Sequence, residues 1–200
     1  MIYFTSDLHF NHGNILAYEP ITRPFATIDE MNEALITNWN SVVKPEDTVY
    51  VLGDFAMGPA SDVRGLVSRL NGTIKLVRGN HDTPAKLKIY QEMGIEVKDI
   101  EYLTYKGRFF ILCHFPIASE EFMQMVVNDN SEVINVYGHV HSNTQKGFYK
   151  GTYHIGVDTN NLTPISIEQV WNESWPEEMM TPEVVAYKEA HGGDQNNFVN

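Results

Sequence analysis

Short apolar stretches alternate with longer amphipathic ones along this chain. Five of the apolar stretches are rich in β-branched and aromatic residues and lead directly into turn residues, which predicts β-strands. These predicted strands are residues 2–5, 48–52, 74–77, 109–113 and 133–137. Three further stretches are strand candidates on the same pattern, namely residues 96–105, 153–157 and 165–170.

Amphipathic helices are predicted between these strands. Thr27 and Glu30 form a capping-box pattern, and apolar residues then recur at steps of three and four from Ile28 to Val42. Further helices are predicted to begin at Ser61, Thr83-Pro84 and Ser119, and the first two of these to end near Gly72 and Gly94. Strands that alternate with helices predict a layered α/β fold, and the later run of strands with one helix indicates mixed sheets.

The end of the chain differs from the rest in charge. Residues 168–200 hold seven acidic residues and one lysine. We therefore predict one domain over residues 1–170 and an acidic C-terminal extension over residues 171–200, with one helix that begins at Thr181-Pro182. The apolar face of that helix predicts that the extension packs on the domain, and an interaction arm is the alternative.

Composition excludes several classes of protein. Lys and Arg total 14 and Asp and Glu total 26, so the net charge of −12 opposes binding to long nucleic acid or to an anionic membrane. The single cysteine excludes an internal disulfide and a cysteine-based zinc finger. The chain opens without a basic leader, and no apolar run approaches the roughly 18 residues that span a bilayer. We therefore expect a cytoplasmic protein with no membrane partner.

Side chains that can bind metal follow each of the five predicted strands. Seven of them form the candidate ligand set, which is Asp7, His9, Asp54, Asn80, His114, His139 and His141. The carboxyl ends of strands are where open α/β sheets bind ligands. A mixture of imidazole, carboxylate and amide donors suits Mn, Fe, Zn, Ni or Co better than calcium. Seven ligands are too many for one tetrahedral metal and suit two metals that share a bridging carboxylate.

The spacing of these residues supports a common target. In extended backbone, residues two apart point the same way, so Asp7 and His9 can share one metal, as can His139 and His141. A glycine also precedes Asp54, Asn80 and His139, which permits a sharp turn and a close approach to a ligand.

The order Asp-x-His, Gly-Asp, Gly-Asn-His-Asp, a lone His and Gly-His-x-His resembles the calcineurin-like metallophosphoesterase superfamily. The match covers residues 7–141, and the opening Ser-Asp-Leu-His-Phe-x-His resembles a small bacterial and bacteriophage branch. The resemblance implies an α/β fold with a metallophosphoesterase-type β-sandwich, in which two mixed sheets are flanked by helices. It also implies a first metal on Asp7, His9 and His141, a second on Asn80, His114 and His139, and Asp54 as the bridge.

The function that this resemblance implies is hydrolysis of a small phosphodiester or phosphomonoester, nucleotides included, by a metal-bridging hydroxide. His81 matches the non-ligand histidine of the family, which stabilises the transition state and protonates the leaving oxygen. Phosphoprotein phosphatases of the superfamily orient this histidine with an Asp three residues after the bridge, followed by a phosphate-binding Arg. Met57 and Gly58 stand there in this chain. Asp82 is then the remaining candidate for the catalytic residue that orients His81.

Four residues are candidates for binding the substrate phosphate, Asn11, His12, Arg23 and Arg78. The alternative for Asn11 and His12 is that they cap the next turn, and the alternative for each arginine is an ordinary surface position. Asp158 either ends a strand or braces the site from outside, and Cys113 is expected to be a small buried side chain rather than a nucleophile.

Two other functions remain alternatives. A non-catalytic interaction scaffold on the same fold would be expected to have lost ligands, and this chain has every one. A nuclease would use the same chemistry, but the basic residues are dispersed, so only short oligonucleotides fit that reading. The oligomeric state stays open.

Overall fold

Two mixed β-sheets with flanking helices make up the part of the chain that the computed structural model describes, residues 1–117, 133–143 and 151–174. The strands are β1 (Ile2–Thr5), β2 (Thr48–Leu52), β3 (Thr73–Val77), β4 (Glu96–Lys98), β5 (Glu101–Tyr105), β6 (Arg108–Leu112), β7 (Val133–Tyr137), β8 (Thr152–His154) and β9 (Ile165–Ser166). The first sheet has the order β4-β3-β2-β1-β9, parallel except for β9. The second has the order β5-β6-β7-β8, parallel except for β5.

Five α-helices lie within the described ranges. They are α1 (Ile15–Tyr18), α2 (Ile28–Val42), α3 (Ala60–Val67), α4 (Pro84–Glu92) and α5 (Ile167–Glu173). The capping box predicted for α2 is confirmed, because Thr27 Oγ1 accepts from the Glu30 N–H and Glu30 Oε2 accepts from the Thr27 N–H. The prediction that α4 begins after Thr83 with a proline in its first turn is also confirmed.

The first sheet separates two apolar cores, and strand β2 shows how. Its alternate residues Val49 and Val51 pack against the helices, while Tyr50 and Leu52 pack against the second sheet. Because successive side chains on a strand point to opposite faces, one apolar strand supplies both cores. Each such side chain contributes roughly 1.5–3 kcal/mol when fully buried. The strands that carry the polar loops are therefore anchored on both faces.

Several predicted boundaries are wrong. Residues 96–105 form two strands in different sheets, β4 and β5, rather than one. Residues 165–170 begin as a strand but become α5, because the Ser166 side chain accepts from the Gln169 N–H and caps a helix. Strand β8 ends at His154 rather than at residue 157, and α3 ends at Val67, short of Gly72.

Other predictions cannot be compared with the described structure. The helices expected at Ser119 and at Thr181 lie outside the described residues, as does most of the acidic extension. The division at residue 170 thus stays a prediction. Within the described ranges, no helix has both the length and the apolar character needed to cross a bilayer.

Candidate metal centre

The seven candidate ligands meet at one edge of the molecule, where strands of both sheets end. The loop after β1 pairs with the loop after β2, since the N–H groups of Asp7 and His9 donate to the carbonyls of Gly53 and Asp54 at 3.1 and 3.0 Å. An isolated parallel bridge between Ser6 and Gly156 joins the same edge to the chain that follows β8. Residues far apart in sequence are thus brought to one place by strand order.

The first group is defined here as Asp7, His9 and His141. One donor atom from each lies within 4.8 Å of the others. His9 is 1 % exposed, and neither of its ring nitrogens has a hydrogen-bond partner among the residues that the structure describes. Burial, reinforced by nearby His141 and Arg23, lowers the pKa of His9 to about 2, so its imidazole is neutral. A neutral, buried, unpartnered imidazole fits a metal ligand, because leaving it unpaired is costly.

The second group is defined as Asn80, His114 and His139, and the side chain of Asn80 connects its members. Asn80 Oδ1 lies 2.8 Å from His114 Nε2 and 3.0 Å from His139 Nδ1. The other nitrogen of His114 lies 2.8 Å from the carbonyl oxygen of Leu52, which fixes the ring with Nε2 turned to the site. One ring nitrogen of each histidine therefore lies close to the same amide oxygen.

Asp54 stands between the two groups. Its Oδ2 is 3.5 Å from His9 Nε2 and 3.5 Å from His114 Nε2. Its Oδ1 accepts from the backbone N–H of His81 at 2.8 Å, which holds the carboxylate in this position. An oxygen equidistant from one imidazole nitrogen of each group suits a carboxylate shared by two metals.

The backbone at the ligands is strained, and the expectation of extended backbone around them is wrong. Five of the seven have positive φ angles, Asp7 (58°), His9 (50°), Asp54 (55°), His139 (70°) and His141 (51°). A non-glycine residue in this region costs on the order of 1–3 kcal/mol and persists only where its surroundings hold it. Residues with positive φ alternate with residues in ordinary backbone conformations in these loops. This alternation, and not an extended strand, directs the side chains toward the centre.

Glycines flank the ligands because the loops touch one another. A Cβ added at Gly79 would overlap the Asp54 carboxylate and lie 2.5 Å from its backbone nitrogen. A Cβ added at Gly53 would lie 2.5 Å from His114 Nδ1. At these two glycines the structure shows a close approach between neighbouring loops, and the predicted close approach to a ligand stays a prediction.

His81 lies on the open side of the centre. It is exposed, and its ring centroid is 5.3 Å from that of His9 and 6.1 Å from that of His12. Lys86 Nζ donates to its carbonyl oxygen at 2.9 Å, so both peptide groups of His81 are held while its ring lies exposed beside those of His9 and His12.

Asp82 does not orient His81, and this prediction is corrected. Asp82 Oδ2 accepts from the N–H groups of Asp54 and Gly79 at 2.8 and 2.9 Å, and Oδ1 accepts from that of Phe55 at 3.3 Å. Burial raises the pKa of Asp82, although these hydrogen bonds oppose the rise. The Asp82 carboxylate thus joins the loops after β2 and β3 through backbone N–H groups.

Both predictions for Arg23 are corrected. Its side chain is buried, which excludes an ordinary surface position, and it forms an ion pair with Asp158 rather than facing the open side of the site. Asp158 also accepts from His141 Nδ1 at 2.8 Å, so it braces the site rather than merely ending a strand. The local signal for Asp158 in the sequence is weak, because the glycine lies two residues before it and not directly before it as at Asp54.

The other candidates are placed as follows. Arg78 is exposed and pairs with Asp99 at 3.0 Å, as expected for the alternative of an ordinary surface arginine. Asn11 Oδ1 accepts from Asn32 Nδ2 at 2.7 Å, and the His12 ring is tilted against that of His9 with ring centroids 5.1 Å apart. Neither side chain caps α1, whose N-cap is Asn14, so the capping alternative is wrong.

Cys113 is buried, as expected. Its Sγ lies 2.9 Å from the Phe115 carbonyl oxygen and 3.2 Å from Asn135 Nδ2. Burial raises the pKa of the thiol, which disfavours a nucleophilic thiolate.

Comparison with known proteins identifies the family of this arrangement. Residues 1–155 match the family model described as the calcineurin-like phosphoesterase superfamily domain. The chain is 36 % identical over 176 residues to uncharacterized protein MJ1445 of Methanocaldococcus jannaschii, covering 84 % of this chain and 88 % of the relative. It is 25 % identical to the Gene 66 protein of Mycobacterium phage L5, covering 78 % and 86 %.

A solved structure has the same fold. The protein of unknown function AQ665 from Aquifex aeolicus matches with a TM-score of 0.68 and 30 % identity, covering 86 % of this chain and 98 % of that one. The two mixed sheets and flanking helices are therefore shared with a related protein, and the predicted fold class is confirmed.

Gly79→Ala tests whether loop contact shapes the site. We expect the free energy of unfolding to fall by about 1–3 kcal/mol and metal affinity to fall with it, because the added methyl overlaps Asp54. Gly65→Ala is the matched control, since a Cβ there meets nothing within 4 Å and the position is helical. Urea unfolding of both variants checks the prediction, and equal stability of the two would contradict it.

Asp7→Asn tests the electrostatic cost of the metal-free centre. Burial raises the pKa of Asp7 above 3.8, so the folded state holds this proton more tightly than the unfolded chain does. Without metal, stability is therefore lost as pH rises from about 4 through that raised pKa. We expect metal-free Asp7→Asn to exceed wild type in stability at pH 7, with the excess vanishing near pH 4.

Urea unfolding of both proteins from pH 4 to 8, with a chelator present, measures this difference in stability. With saturating Mn²⁺ at pH 7, wild type should instead be more stable than Asp7→Asn. Asp99→Asn is the control, since that side chain is exposed on the surface. If the extra stability of Asp7→Asn over wild type did not change with pH, the charge of Asp7 would not be the cause of the lower stability of wild type.

Proposed function

The chain belongs to the calcineurin-like phosphoesterase superfamily, and from that premise we propose that it hydrolyses a small phosphodiester or phosphomonoester with two divalent metal ions. The observation that carries the proposal is Asp54 Oδ2, which is 3.5 Å from a ring nitrogen of His9 in the first group and of His114 in the second. A single carboxylate oxygen close to imidazole nitrogens of both groups is suited to contacting two metal ions.

Each metal would have its own set of ligands. The first group, Asp7, His9 and His141, would hold one ion, the second group, Asn80, His114 and His139, would hold the other, and Asp54 would contact both. When bound, two such cations offset the charge of phosphate oxygens and lower the pKa of water. The mixed nitrogen and oxygen donors favour Mn, Fe, Ni, Zn or Co.

His81 is the proposed proton donor to the leaving oxygen. Its ring is exposed and adjacent to the first group, while its backbone is held by Asp54 on one side and Lys86 on the other. Main-chain hydrogen bonds thus position it without the orienting carboxylate that Asp82 was expected to supply. An imidazole can act as a general acid, which suits departure of an alcohol or phenol.

The rim of the centre supports a small organic ester as substrate. Phe115 is 50 % exposed with its ring centroid 4.6 Å from that of His139, and Tyr18 is 67 % exposed with its ring 6.4 Å from that of His12. Exposed aromatic rings next to His139 of the second group and next to His12 favour an aryl or nucleoside substituent. The net charge of −12 disfavours a long nucleic acid, and we propose that the enzyme acts in the cytoplasm.

Hydrolysis of bis(p-nitrophenyl) phosphate and p-nitrophenyl phosphate, with Mn²⁺ or Ni²⁺ added after chelation, tests the proposal. We expect turnover that depends on metal, and Asp54→Ala or Asn80→Ala should lower it by at least about 100-fold, because each removes a ligand. Arg64→Ala is the control, since that exposed arginine pairs with Glu92 on the surface. Metal-loaded protein that hydrolyses neither ester would support a scaffold instead, and cleavage of short oligonucleotides alone would support a nuclease.

His81→Ala separates catalysis from metal binding. We expect kcat to fall by about 10²–10⁴-fold while two metals remain bound, because His81 supplies a proton and no ligand. Metal content measured after dialysis, together with kcat, distinguishes the two effects. Unchanged turnover would contradict the assigned role.

A further inference from the structure

A buried ion pair lies beneath the first group. Arg23 Nε donates to Asp158 Oδ1 at 2.7 Å, and Arg23 Nη2 donates to Asp158 Oδ2 at 2.9 Å. Both side chains are 0 % exposed. Paired with so little access to water, the two residues form a rigid bidentate unit rather than a mobile surface contact.

The remaining guanidinium hydrogens bind the loop that carries Asp7 and His9. Nη2 donates to the Asp7 carbonyl at 2.6 Å and Nη1 to the Leu8 carbonyl at 2.9 Å, while Met31 Sδ lies 3.5 Å from Nη1. With the two bonds to Asp158, these contacts match the five N–H groups of arginine. The guanidinium therefore spans the strained backbone between the positive-φ residues Asp7 and His9.

Asp158 extends the same unit to the opposite side of the first group. Its Oδ2 lies 2.8 Å from His141 Nδ1, which leaves His141 Nε2 for a metal. Burial alone would raise the pKa of Asp158, but the hydrogen bonds from Arg23 and His141 outweigh it and hold the pKa well below its usual range. One ion pair thus contacts the backbone of Asp7 and the side chain of His141.

The second group has a different support. His114 is held through Nδ1 by the Leu52 carbonyl oxygen, and no hydrogen bond of Arg23 or Asp158 in the described part of the chain reaches Asn80, His114 or His139. The His139 N–H donates to the Asp7 carboxylate at 3.1 and 3.0 Å, whereas the ion pair holds Asp7 through its carbonyl oxygen. A defect in the ion pair should therefore act mainly on the first group.

We propose that Arg23 and Asp158 are positioning residues that set the metal affinity of the first group and leave that of the second group unchanged. The inference rests on the proposed metal sites but not on hydrolysis. A buried ion pair often contributes little net stability, because desolvation offsets the attraction. The contacts of this ion pair are instead suited to holding the strained loop that carries Asp7 and His9 in a fixed position relative to the ring of His141.

Titration of the full chain with Mn²⁺ by calorimetry tests the proposal. Wild type should bind two ions, while Arg23→Met and Asp158→Asn should each lose about 10–100-fold in affinity at one site and retain the other. Asp158→Asn preserves size, so it carries the test if Arg23→Met does not fold.

Arg108→Met is the matched control, since Arg108 is also fully buried, donating to the Trp171 carbonyl with its guanidinium carbon 4.7 Å from the Trp171 ring centroid. It should lower the free energy of unfolding yet keep both metal affinities. Equal weakening of both sites in the Arg23 and Asp158 variants, or an equal loss in Arg108→Met, would overturn the positioning role.

A chemical rescue gives a second readout. Arg23→Ala should regain affinity at the weakened site when millimolar guanidinium is added, whereas methylammonium should have no effect, because only the planar fork can bind Asp158 and the two carbonyls together. Identical responses to both cations would contradict the proposal. Wild type that binds two Mn²⁺ ions but hydrolyses no ester would contradict the proposed function and leave this inference standing.

Discussion

The carboxylate of Asp82 joins the two loops on which the candidate centre depends. It accepts from the backbone N–H groups of Asp54, Phe55 and Gly79, so the turn after β2 and the turn after β3 share one buried acceptor. Asp54 stands on the first turn, and Asn80 and His81 follow Gly79 on the second. The proposed bridging carboxylate, one candidate ligand and the proposed proton donor thus take their relative positions from a side chain that is hydrogen-bonded to backbone N–H groups.

Strain and charge both make the centre costly without metal. Five candidate ligands occupy positive φ angles, and burial raises the pKa of Asp7 and lowers that of His9. Bound cations would compensate the charge of Asp7 and use the unpartnered nitrogens of His9. The apolar cores on both faces of the first sheet and the Arg23–Asp158 pair hold the geometry that the ligands alone would not adopt. Stability elsewhere in the fold therefore supports a site that is unfavourable by itself.

Local signals in the sequence predicted most of the framework. Strand β2 and helix α2 follow from apolar runs, periodicity and a capping box, which depend on neighbouring residues. The set of polar strand ends also predicted which side chains would meet. The sequence did not predict the Arg23–Asp158 pair, whose members are 135 positions apart, because nothing local indicates which buried cation meets which acid. The prediction of a strand over residues 165–170 was wrong because Ser166 both ends the strand and caps the helix that follows.

The assembly of the first group from distant parts of the chain has a consequence during synthesis. Asp7 and His9 leave the ribosome early, but His141 and the Asp158 that steadies it follow more than 130 residues later. No nascent fragment that lacks the second sheet can complete this group. A metal ion held by this group would therefore be bound late, after the two sheets have docked, and it would connect the first residues synthesised to the last strands.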